Sequence, residues 1–549
     1  MTSERTSVLV AGGGLTGLST AVFLGCQGID VLVAEQRAGT LAHPRARTIN
    51  PRTVELYRQA GLERAIMRER QFTHTRSATF VRAHTVAGEE LRRGEVAPPE
   101  GAGGGAEASP CAWAPIDQDV LELLLRDRAA ELGVQVRFDA EVVSFEQDAH
   151  GVRALVRDRE TGREREVEAD YLVGADGHAS TVRRSLGIGV HGPGSLNHLV
   201  SVMFDADLSK PMRGRGEAYF HLDTPAVGTI LLPHDRSTRW VFSTPYRPDR
   251  GETVAQHTED RCVELIRAAV GVPDLEVRLL PQLADGTKVL GYHVAAQVAE
   301  TFQRGRVFLV GDAAHLMPPA GAFGAGTGVL DAHNLAWKLA AVLSGTAGPR
   351  LLESYSAERI PAVEFTVGQA LAQFAARSGR PVPGAGEPAD YFAVVFGHRY
   401  ARGALDGAEA DGPAALPPAE LRGQVGTRAP HVVLTVGGRR GSTLDLFGPG
   451  FTLLAGPGAA GWADTVPGVR AVVVGRDVTD VDDRWHTAYA AEHDGAVLVR
   501  PDGIVAWRRD SVGPDAPDLT EVLDRLLRRR ERSVSAVRGG GSTMAGARR

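Results

Sequence analysis

The first 35 residues of the chain alternate apolar runs with a helical pattern in the order strand, helix, strand. Residues 7–11 and 30–34 are short apolar runs of the kind found in buried parallel strands. Residues 16–27 between them carry apolar side chains at helical spacing, which predicts a helix. The N-terminal segment therefore predicts a βαβ unit.

The turn that joins the first strand to this helix has a GxGxxG pattern, Gly12-Gly13-Gly14-Leu15-Thr16-Gly17. Gly12 allows the tight turn, Gly14 lets the backbone approach a pyrophosphate, and Gly17 lets helix and strand pack closely. Glu35 ends the second strand, where its carboxylate can accept hydrogen bonds from a ribose. A tight turn in an unrelated α/β protein is the alternative interpretation. The nucleotide-binding residues predicted for this unit are Gly12, Gly14, Leu15, Thr16, Gly17 and Glu35.

A second GxGxxG pattern, Gly456-Pro457-Gly458-Ala459-Ala460-Gly461, follows the apolar run 451–455. Pro467 limits any helix after it to about one turn. No second strand that ends in an acid follows at the required distance. This copy therefore predicts a loop.

The middle of the chain changes from helical to strand patterns. Residues 119–132 predict an amphipathic helix, and residues 153–167 alternate like a hairpin. Short strand patterns then follow one another without a helix, at residues 199–206, 217–222, 227–232 and 240–245. This run predicts an antiparallel sheet inserted between two halves of a nucleotide-binding domain, with one face in the core and the other forming a pocket wall.

The pattern starts again after a Gly- and Pro-rich linker over residues 380–418. Strand patterns at 431–436, 451–455, 469–474 and 496–499 precede a closing helix at 519–530, which predicts a small α/β domain. Residues 100–109 form a low-complexity loop that interrupts the first lobe. The tail from Ser533 has no core-forming pattern and is expected to be disordered.

Composition and charge exclude several classes of protein. The net charge of −6 and the interleaved acids and arginines give no reason to expect a nucleic-acid partner. The three cysteines, Cys26, Cys111 and Cys262, form no CxxC, so neither a metal site nor a disulfide framework is predicted. No apolar run has the length of a membrane span, and the N-terminus lacks a signal-peptide pattern. We expect a cytoplasmic protein without a membrane partner.

Two further motifs place acids after apolar strand patterns. Asp176-Gly177 follows one such strand, where the acid can orient backbone amides near a phosphate. Gly311-Asp312-Ala313-Ala314-His315 follows another and leads through glycines into a helix over 331–343. Asp312 can bind a hydroxyl of a ribityl chain, and the amides near Gly324 can face electron-rich atoms of a flavin ring. We expect His315 to hold the loop by hydrogen bonds rather than to act as a base.

The three motifs, in this order and spacing, resemble those of the FAD-dependent aromatic hydroxylases of the para-hydroxybenzoate hydroxylase and phenol hydroxylase type. The resemblance covers residues 8–364 and includes a close match at Asn334–Leu339. It implies bound FAD. It also places Arg45 at the flavin pyrophosphate and Gln118 at another FAD contact. The resemblance also implies that Asp176, Asp312, Pro319 and Gly324 belong to the cofactor-binding residues, together with those named above.

The resemblance implies an α/β fold in which a Rossmann-type FAD-binding domain carries an inserted antiparallel-sheet substrate domain and is followed by a thioredoxin-like C-terminal domain. The C-terminal part resembles the extension of phenol hydroxylase and of bacterial polyketide hydroxylases, but without CxxC thiol chemistry is not expected. Packing or an oligomer contact, such as a homodimer, is the role expected of it. The implied boundaries are 1–185 and 296–378 for the FAD-binding parts, 186–295 for the substrate sheet, 379–422 for the linker, 423–530 for the C-terminal domain and 531–549 for the tail.

The family implies a single-component monooxygenase. NADPH or NADH reduces bound FAD, the reduced flavin captures O2 as a C4a-hydroperoxide, and one oxygen atom is transferred to a ring carbon of a phenolic or polycyclic aromatic substrate. The segment Asn50–Leu56 is closest to hydroxylases of aromatic polyketides. No catalytic side chain is assigned, because the cofactor carries the chemistry. Baeyer–Villiger insertion, epoxidation and a non-catalytic FAD-binding role remain open, whereas a halogenase is disfavoured because its Trp-x-Trp-x-Ile-Pro motif is missing.

One segment departs from the family pattern. Where relatives often have Gly-Gly-Gln-Gly-Met-Asn, this chain has Gly321-Ala322-Phe323-Gly324-Ala325-Gly326. The two side-chain amides of that pattern are therefore replaced by Phe323 and Gly326. We expect backbone amides to maintain FAD binding here.

Overall fold

The structure is a computed structural model that describes residues 4–40, 46–69, 79–95, 105–215, 218–234, 238–283, 286–378, 381–464, 468–513 and 518–529. Three sequence predictions concern residues outside these ranges. Arg45, the first part of the loop predicted over 100–109, and the tail 531–549 all lie outside the described residues.

The first sheet has eight strands and contains the nucleotide-binding turn. Its central part is parallel, in the order β16-β8-β1-β2-β5, and β6 and β7 continue it as an antiparallel extension of β8. Because both faces of a parallel sheet are covered, its strands are apolar throughout; Val8, Leu9 and Val10 have no exposed surface. Numbered along the chain, the strands are β1 (Glu4–Ala11), β2 (Val31–Ala34), β5 (Gln135–Arg137), β6 (Ala140–Gln147), β7 (Val152–Asp158), β8 (Glu164–Gly174), β15 (Gln303–Arg304) and β16 (Val307–Leu309).

The second sheet has nine strands and is mostly antiparallel. Its order is β17-β14-β9-β12-β11-β10-β3-β4, and β13 pairs with β9. The strands are β3 (Thr79–Ala83), β4 (Glu90–Glu95), β9 (Val190–Asp205), β10 (Ala218–Leu222), β11 (Thr229–Pro233), β12 (Arg239–Pro245), β13 (Arg278–Leu280), β14 (Val289–Ala299) and β17 (His315–Leu316).

This sheet differs from the sequence prediction at both ends. Strands β3 and β4 come from the segment predicted to belong to the first FAD-binding part. The long strand β14, which pairs with β9, was not recognised in the sequence. The sequence of a strand does not show which distant strand it pairs with. The pairing of β3 with β10 and of β14 with β9 therefore could not be read from the local patterns.

The C-terminal part contains two small sheets. A four-stranded sheet in the order β21-β20-β23-β24 joins a parallel β20–β21 pair to two antiparallel strands, and a three-stranded sheet has the order β19-β18-β22. These strands are β18 (Val433–Val436), β19 (Arg439–Ser442), β20 (Thr452–Ala455), β21 (Arg470–Val473), β22 (Thr479–Asp480), β23 (Ala496–Val499) and β24 (Val505–Arg509).

Helices cover the sheets and connect them. The predicted helices at 16–27 and 119–132 are present as α1 and α5, and the apolar segment in the predicted linker forms α11. None of the helices within the described ranges is long and apolar enough to cross a membrane. The helices are α1 (Leu15–Cys26), α2 (Pro51–Gln59), α3 (Glu63–Arg68), α4 (Gly105–Ala108), α5 (Gln118–Glu131), α6 (Thr181–Ser185), α7 (Ser209–Met212), α8 (Glu259–Val270), α9 (Gly324–Leu343), α10 (Glu353–Ser378), α11 (Tyr391–Phe396), α12 (Ala460–Ala463), α13 (Trp485–Tyr489) and α14 (Leu519–Leu526).

The second GxGxxG copy lies in the C-terminal part, after β20. It forms a 3-10 turn at Pro457–Ala459 and the single-turn helix α12, rather than the predicted loop. A Cβ at Gly461, its last glycine, would meet no atom within 4 Å. Gly461 therefore lacks the close helix–strand contact that the last glycine of a dinucleotide-binding turn makes.

Buried ion pairs join the C-terminal part to the rest of the chain. Arg428 Nε donates to Glu55 Oε2 of α2 at 2.9 Å, and Arg500, just after β23, pairs with Glu358 of α10. Asn334 of α9 also donates to Asp502 at 3.2 Å. Since these side chains are buried, the C-terminal part is packed against the first sheet's helices rather than tethered by a free linker.

Candidate active site

Four predicted site residues lie at one edge of the first sheet. Gly12, Glu35, Asp176 and Asp312 each follow the carboxyl end of a parallel strand: β1, β2, β8 and β16, respectively. These strands are neighbours in the sheet, so their ends meet. In open α/β sheets, ligands bind outside the carboxyl ends of the strands. The structure thus brings together residues that are up to 300 positions apart (Gly12 to Asp312).

The glycine-rich turn has the geometry that the motif predicts. Gly12 has φ of +107°, and a Cβ there would lie 2.4 Å from the carbonyl oxygen of Ala175. A Cβ at Gly17 would lie 1.9 Å from the Gly12 oxygen. At Gly14, by contrast, the nearest atom to a Cβ is Glu122 Oε1 at 3.8 Å. Gly12 and Gly17 are therefore required by the fold itself, whereas the space beside Gly14 is open to a ligand.

Glu35 is 4% exposed and supports the turn. Its Oε2 accepts a hydrogen bond from Gly13 N at 2.6 Å, and its Oε1 accepts one from Arg37 N at 2.9 Å. A carboxylate oxygen has more than one acceptor site, so a ribose hydroxyl can still donate to Glu35.

Gln118, the first residue of α5, connects that helix to the segment beside the predicted pyrophosphate contact. Gln118 Oε1 accepts from Ala46 N at 3.2 Å, and Gln118 N donates to Ala46 O at 2.8 Å. Its Nε2 donates to Glu122 at 2.8 Å. Gln118 is therefore placed next to the chain that follows Arg45.

Asp176 organises the turn after β8. Its Oδ1 accepts from Ser180 Oγ at 2.5 Å, and its Oδ2 accepts from Val182 N at 3.0 Å. These bonds fix the start of α6. The sequence expectation that this acid orients backbone amides matches what the side chain does.

Asp312 is exposed in the loop between β16 and β17, and no hydrogen bond to its carboxylate is recorded among the described residues. His315 behaves differently: it is 3% exposed, and its Nε2 lies 2.6 Å from Asp331 Oδ2. Asp331 also accepts from Gly311 N at 3.1 Å and from Arg359 Nε at 2.7 Å. The loop is fixed from within, which leaves the carboxylate of Asp312 available to a ligand.

Asp331 and Arg359 were missed in the sequence. Both are buried, and burial alone would raise the pKa of Asp331. The charges of Arg359 and His315 outweigh this effect, and the pKa of Asp331 is lowered. The available signal was an acid about two turns into the apolar helix α9, but the residues that pair with Asp331 lie on other elements.

The N-terminus of α9 meets the glycine-rich turn. A Cβ at Gly328 or at Gly311 would lie 2.6 Å from Thr16 Oγ1, so α1 and α9 approach closely here. Helix α9 begins at Gly324 and has no side-chain cap, and Pro319 in the preceding loop is exposed. The unpaired amides of the first turn thus point out of the helix near Asp312.

The residues present fit a dinucleotide flavin. The open space beside Gly14 and the carboxylates of Glu35 and Asp312 lie along one edge of the first sheet, close to the start of α9, which is the arrangement that binding of FAD would need. Phe323, which replaces a side-chain amide of the family pattern, is 4% exposed and stacks on Tyr391 at 5.4 Å. Its ring belongs to a buried hydrophobic cluster that includes Ala370 and Phe392.

Comparison with known proteins agrees with this geometry. Residues 5–370 match the FAD binding domain family, and residues 422–529 match the aromatic-ring hydroxylase C-terminal family. The chain belongs to the family of FAD-dependent aromatic-ring hydroxylases. This confirms the predicted FAD-dependent enzyme.

Individual relatives of this hydroxylase act in polyketide chemistry. Aklavinone 12-hydroxylase RdmE of Streptomyces purpurascens is 41% identical over 96% of this chain and 100% of its own length. Tetracenomycin B2 monooxygenase-dioxygenase of Streptomyces olivaceus is 39% identical over 95% of this chain and 98% of its own. The crystal structure of aklavinone-11 hydroxylase with FAD and aklavinone has a TM-score of 0.88 at 39% identity, covering 96% of this chain and 100% of that one.

Helix α8 covers one face of the second sheet of the hydroxylase, and the opposite face is buried in part, with Ser201 2% and Ser243 5% exposed. Phe204, Phe220 and Phe242 are buried on the face beneath α8. Side chains alternate across a strand, so their neighbours in sequence point to the other face. On that face the register aligns one row across five strands, Arg82, His221, Ile230, Ser243 and Ser201.

A cavity lies at one end of this row. Phe80, Arg82, Arg92 and His221 line it from the sheet, and Ala376 and Arg377 line it from the end of α10. Arg377 lies close enough to Tyr391 to influence the ionisation of its phenol, and Tyr391 Oη donates to Gly321 O at 3.1 Å. The cavity is therefore joined by two contacts to the loop that precedes α9. The sequence predicted a pocket wall on this sheet but not which residues line it, because they come from three separate segments.

Proposed function

We propose that this hydroxylase is a single-component monooxygenase that uses NADPH or NADH and O2 to hydroxylate a phenolic or polycyclic aromatic substrate of the polyketide type. The overall reaction converts Ar–H, O2, NAD(P)H and one proton into Ar–OH, NAD(P)⁺ and water. One observation carries the proposal. The loop that holds Asp312 runs directly into β17, which pairs with β14, so the cofactor edge and the substrate sheet share one segment.

The proposed FAD contacts follow from the geometry of the edge. The pyrophosphate would lie at Gly14, with Leu15, Thr16 and Gly17 forming the turn and helix start beneath it. Glu35 would accept from the ribose and Asp312 from the ribityl chain, and the ring would lie near Pro319 and Gly324. Arg45, Gln118 and Asp176 would complete the phosphate end. Bound FAD would supply the redox chemistry by accepting electrons from NAD(P)H and activating O2.

The face of the second sheet opposite α8 supports an aromatic substrate. It offers half-buried apolar and aromatic side chains such as Tyr219, Ile230 and Leu232. Sites for small aromatic ligands are mostly apolar, with few polar groups that fix orientation. The relatives named for aklavinone and tetracenomycin favour a substrate with several fused rings.

We also propose the domain division inferred from the sequence, with one change. The FAD-binding parts 1–185 and 296–378 would enclose the substrate sheet 186–295, to which β3 and β4 contribute from within the first part. After the linker 379–422, the C-terminal domain 423–530 would have a structural role.

The test measures NADPH and NADH consumption by the FAD-loaded enzyme, with and without a panel of polycyclic phenols, under ¹⁸O2. We expect substrate-stimulated consumption and a product heavier by one labelled oxygen on a ring carbon. A product without label, or turnover only with an added reductase, would refute the proposal. Oxygen inserted into a ring bond would instead identify a Baeyer–Villiger enzyme, and an epoxide would identify an epoxidising one.

A further inference from the structure

The cavity at the end of the row Arg82, His221, Ile230, Ser243 and Ser201 is rich in positive charge. Arg82, Arg92 and Arg377 line it together with His221. Arg82 Nη2 pairs with Asp223 Oδ1 at 3.3 Å, and the Arg92 guanidinium lies over the Phe80 ring at 5.9 Å. The cavity therefore contains more cationic than anionic groups.

Among the described residues, neither Arg377 nor Arg92 forms an ion pair with a carboxylate. Arg92 is exposed, whereas Arg377 is partly buried, so its charge is the one in this cavity that solvent balances least. Burial lowers the pKa of its guanidinium, but an arginine remains protonated at any physiological pH. A partly buried cation without an ionic partner is stabilised when an anionic oxygen binds beside it.

His221 lies between the charged groups. It is half-buried on β10 directly opposite Arg82 of β3, and its ring meets the Phe80 ring edge-on at 5.9 Å. Burial, followed by the positive charges of Arg377 and Arg82, lowers the pKa of His221 to about 4. In the empty cavity the imidazole is therefore neutral at pH 7.

We propose that this end of the cavity recognises an anionic oxygen on the aromatic substrate, a carboxylate or an ionised phenol, and that His221 takes up one proton from solvent as the anion binds. The proposal rests on the proposed function and names the substrate class of the same site. An anion beside Arg377 cancels the charge that disfavours imidazolium, and it attracts the proton directly. One N–H bond forms on the ring of His221, and that nitrogen then donates to the bound anion.

The surroundings of His221 contain no competing acid. The facing groups are Arg82 from β3, Arg92 from β4 and Arg377 from α10, and the residue opposite it on β11 is the apolar Ile230. Asp223, two residues after His221, lies 3.3 Å from Arg82 Nη2 and 3.2 Å from His84 Nδ1. Among the described residues, the proton on His221 would therefore depend on the ligand.

The experiment is isothermal titration calorimetry of the oxidised FAD-loaded enzyme, without NAD(P)H, at pH 6.0. The probes are 9,10-anthraquinone-2-carboxylate, its neutral carboxamide and 2-hydroxyanthraquinone, each titrated in MES and in Bis-Tris, two buffers that differ in heat of ionisation. The difference in heat between the two buffers gives the number of protons exchanged. We expect the carboxylate to bind with uptake of about one proton, and the carboxamide to bind at least tenfold more weakly with none. The hydroxyl probe distinguishes a phenolate from a carboxylate as the preferred anion.

Three variants separate the contributions. His221→Asn should keep carboxylate binding within a few-fold and abolish proton uptake, and Arg377→Gln should weaken the carboxylate at least tenfold while leaving the carboxamide unchanged. His293→Asn, an exposed imidazole on β14 of the same sheet, is the matched control and should keep both properties. Flavin absorbance and the thermal midpoint check that each variant is folded.

Equal binding of carboxylate and carboxamide, absence of binding by both anionic probes, or full proton uptake by folded His221→Asn would overturn the inference. None of these outcomes depends on turnover. Labelled-oxygen transfer in the wild type would then still support the monooxygenase, so the two proposals fail separately.

Discussion

Arg500 and Glu358 face each other as a bidentate ion pair that has no exposed surface. Arg500 Nη1 lies 2.8 Å from Glu358 Oε1, and Nη2 lies 2.9 Å from Oε2. Arg500 belongs to the C-terminal part and Glu358 to α10, which follows the FAD-binding sheet. Lys338 Nζ of α9 adds a third charge at 2.8 Å from the same carboxylate. The two parts of the chain therefore share one buried electrostatic network.

Replacing Arg500 with methionine should destabilise the whole enzyme. The substitution leaves Glu358 and Asp502 buried without their main cation, which costs about 3–5 kcal/mol. Urea unfolding followed by tryptophan fluorescence measures the loss. Arg476→Met removes an exposed arginine paired with Asp464 and should change the unfolding free energy by less than about 0.5 kcal/mol. Equal effects of the two variants would contradict the assignment.

The same pair should make stability depend on pH. Burial would raise the pKa of Glu358, but Arg500 and Lys338 outweigh it and lower the pKa to about 2 from an ordinary 4.5. Because the folded pKa is the lower one, the stabilisation is complete above pH 4.5 and is lost as pH falls toward 2. The unfolding free energy of Glu358→Gln relative to wild type should therefore differ most at pH 6 and least near pH 3. A difference that is constant with pH would disprove this linkage.

The glycines of the turn should separate folding from cofactor binding. Gly17→Ala should prevent the turn from forming, because its Cβ would overlap the Gly12 oxygen. Gly14→Val should leave a folded protein that lacks FAD, because its side chain fills space reserved for the pyrophosphate. Gly461→Ala, in the second GxGxxG copy, is the control and should retain both fold and yellow colour. Flavin absorbance and circular dichroism distinguish the three results.

Asp312→Ala should weaken FAD binding by about 1–3 kcal/mol through loss of one charge-assisted hydrogen bond. The thermal midpoint of the apoprotein should change little, because no hydrogen bond to Asp312 is recorded within the described part of the chain. Asp331→Ala should do the opposite and destabilise the apoprotein, since it removes partners from His315 and Arg359. Fluorescence titration with FAD and thermal melts of the apoproteins measure the two effects.

Conservative replacement of all three cysteines should leave turnover intact. None lies in the C-terminal part; Cys111 and Cys262 are buried, and burial raises the pKa of both thiols. Neither is therefore a reactive thiolate at pH 7. A folded, FAD-loaded variant without activity would show that a thiol takes part in the reaction.

Four residues that the sequence predicts for FAD binding meet at one edge of the first sheet, and their contact with FAD stays a prediction. A turn of fixed backbone geometry needs glycine at Gly12 and Gly17, and such needs are local, so they are readable in the sequence. Asp312 followed from a strand pattern that ends in an acid. The expectation that His315 holds its loop by a hydrogen bond agrees with its contact to Asp331, although the sequence did not point to Asp331 as the partner.

The sequence by itself determined the βαβ unit, the three motifs and the family, because these depend on neighbours within a few tens of residues. Only the tertiary structure decided which residues meet in the cavity and in the interface. Arg82, His221 and Arg377 come together through the pairing of β3 with β10 and the packing of α10, and Arg500 reaches Glu358 across the chain. Such contacts leave no periodic trace, because their free energy depends on burial and charge that exist only after the chain has folded.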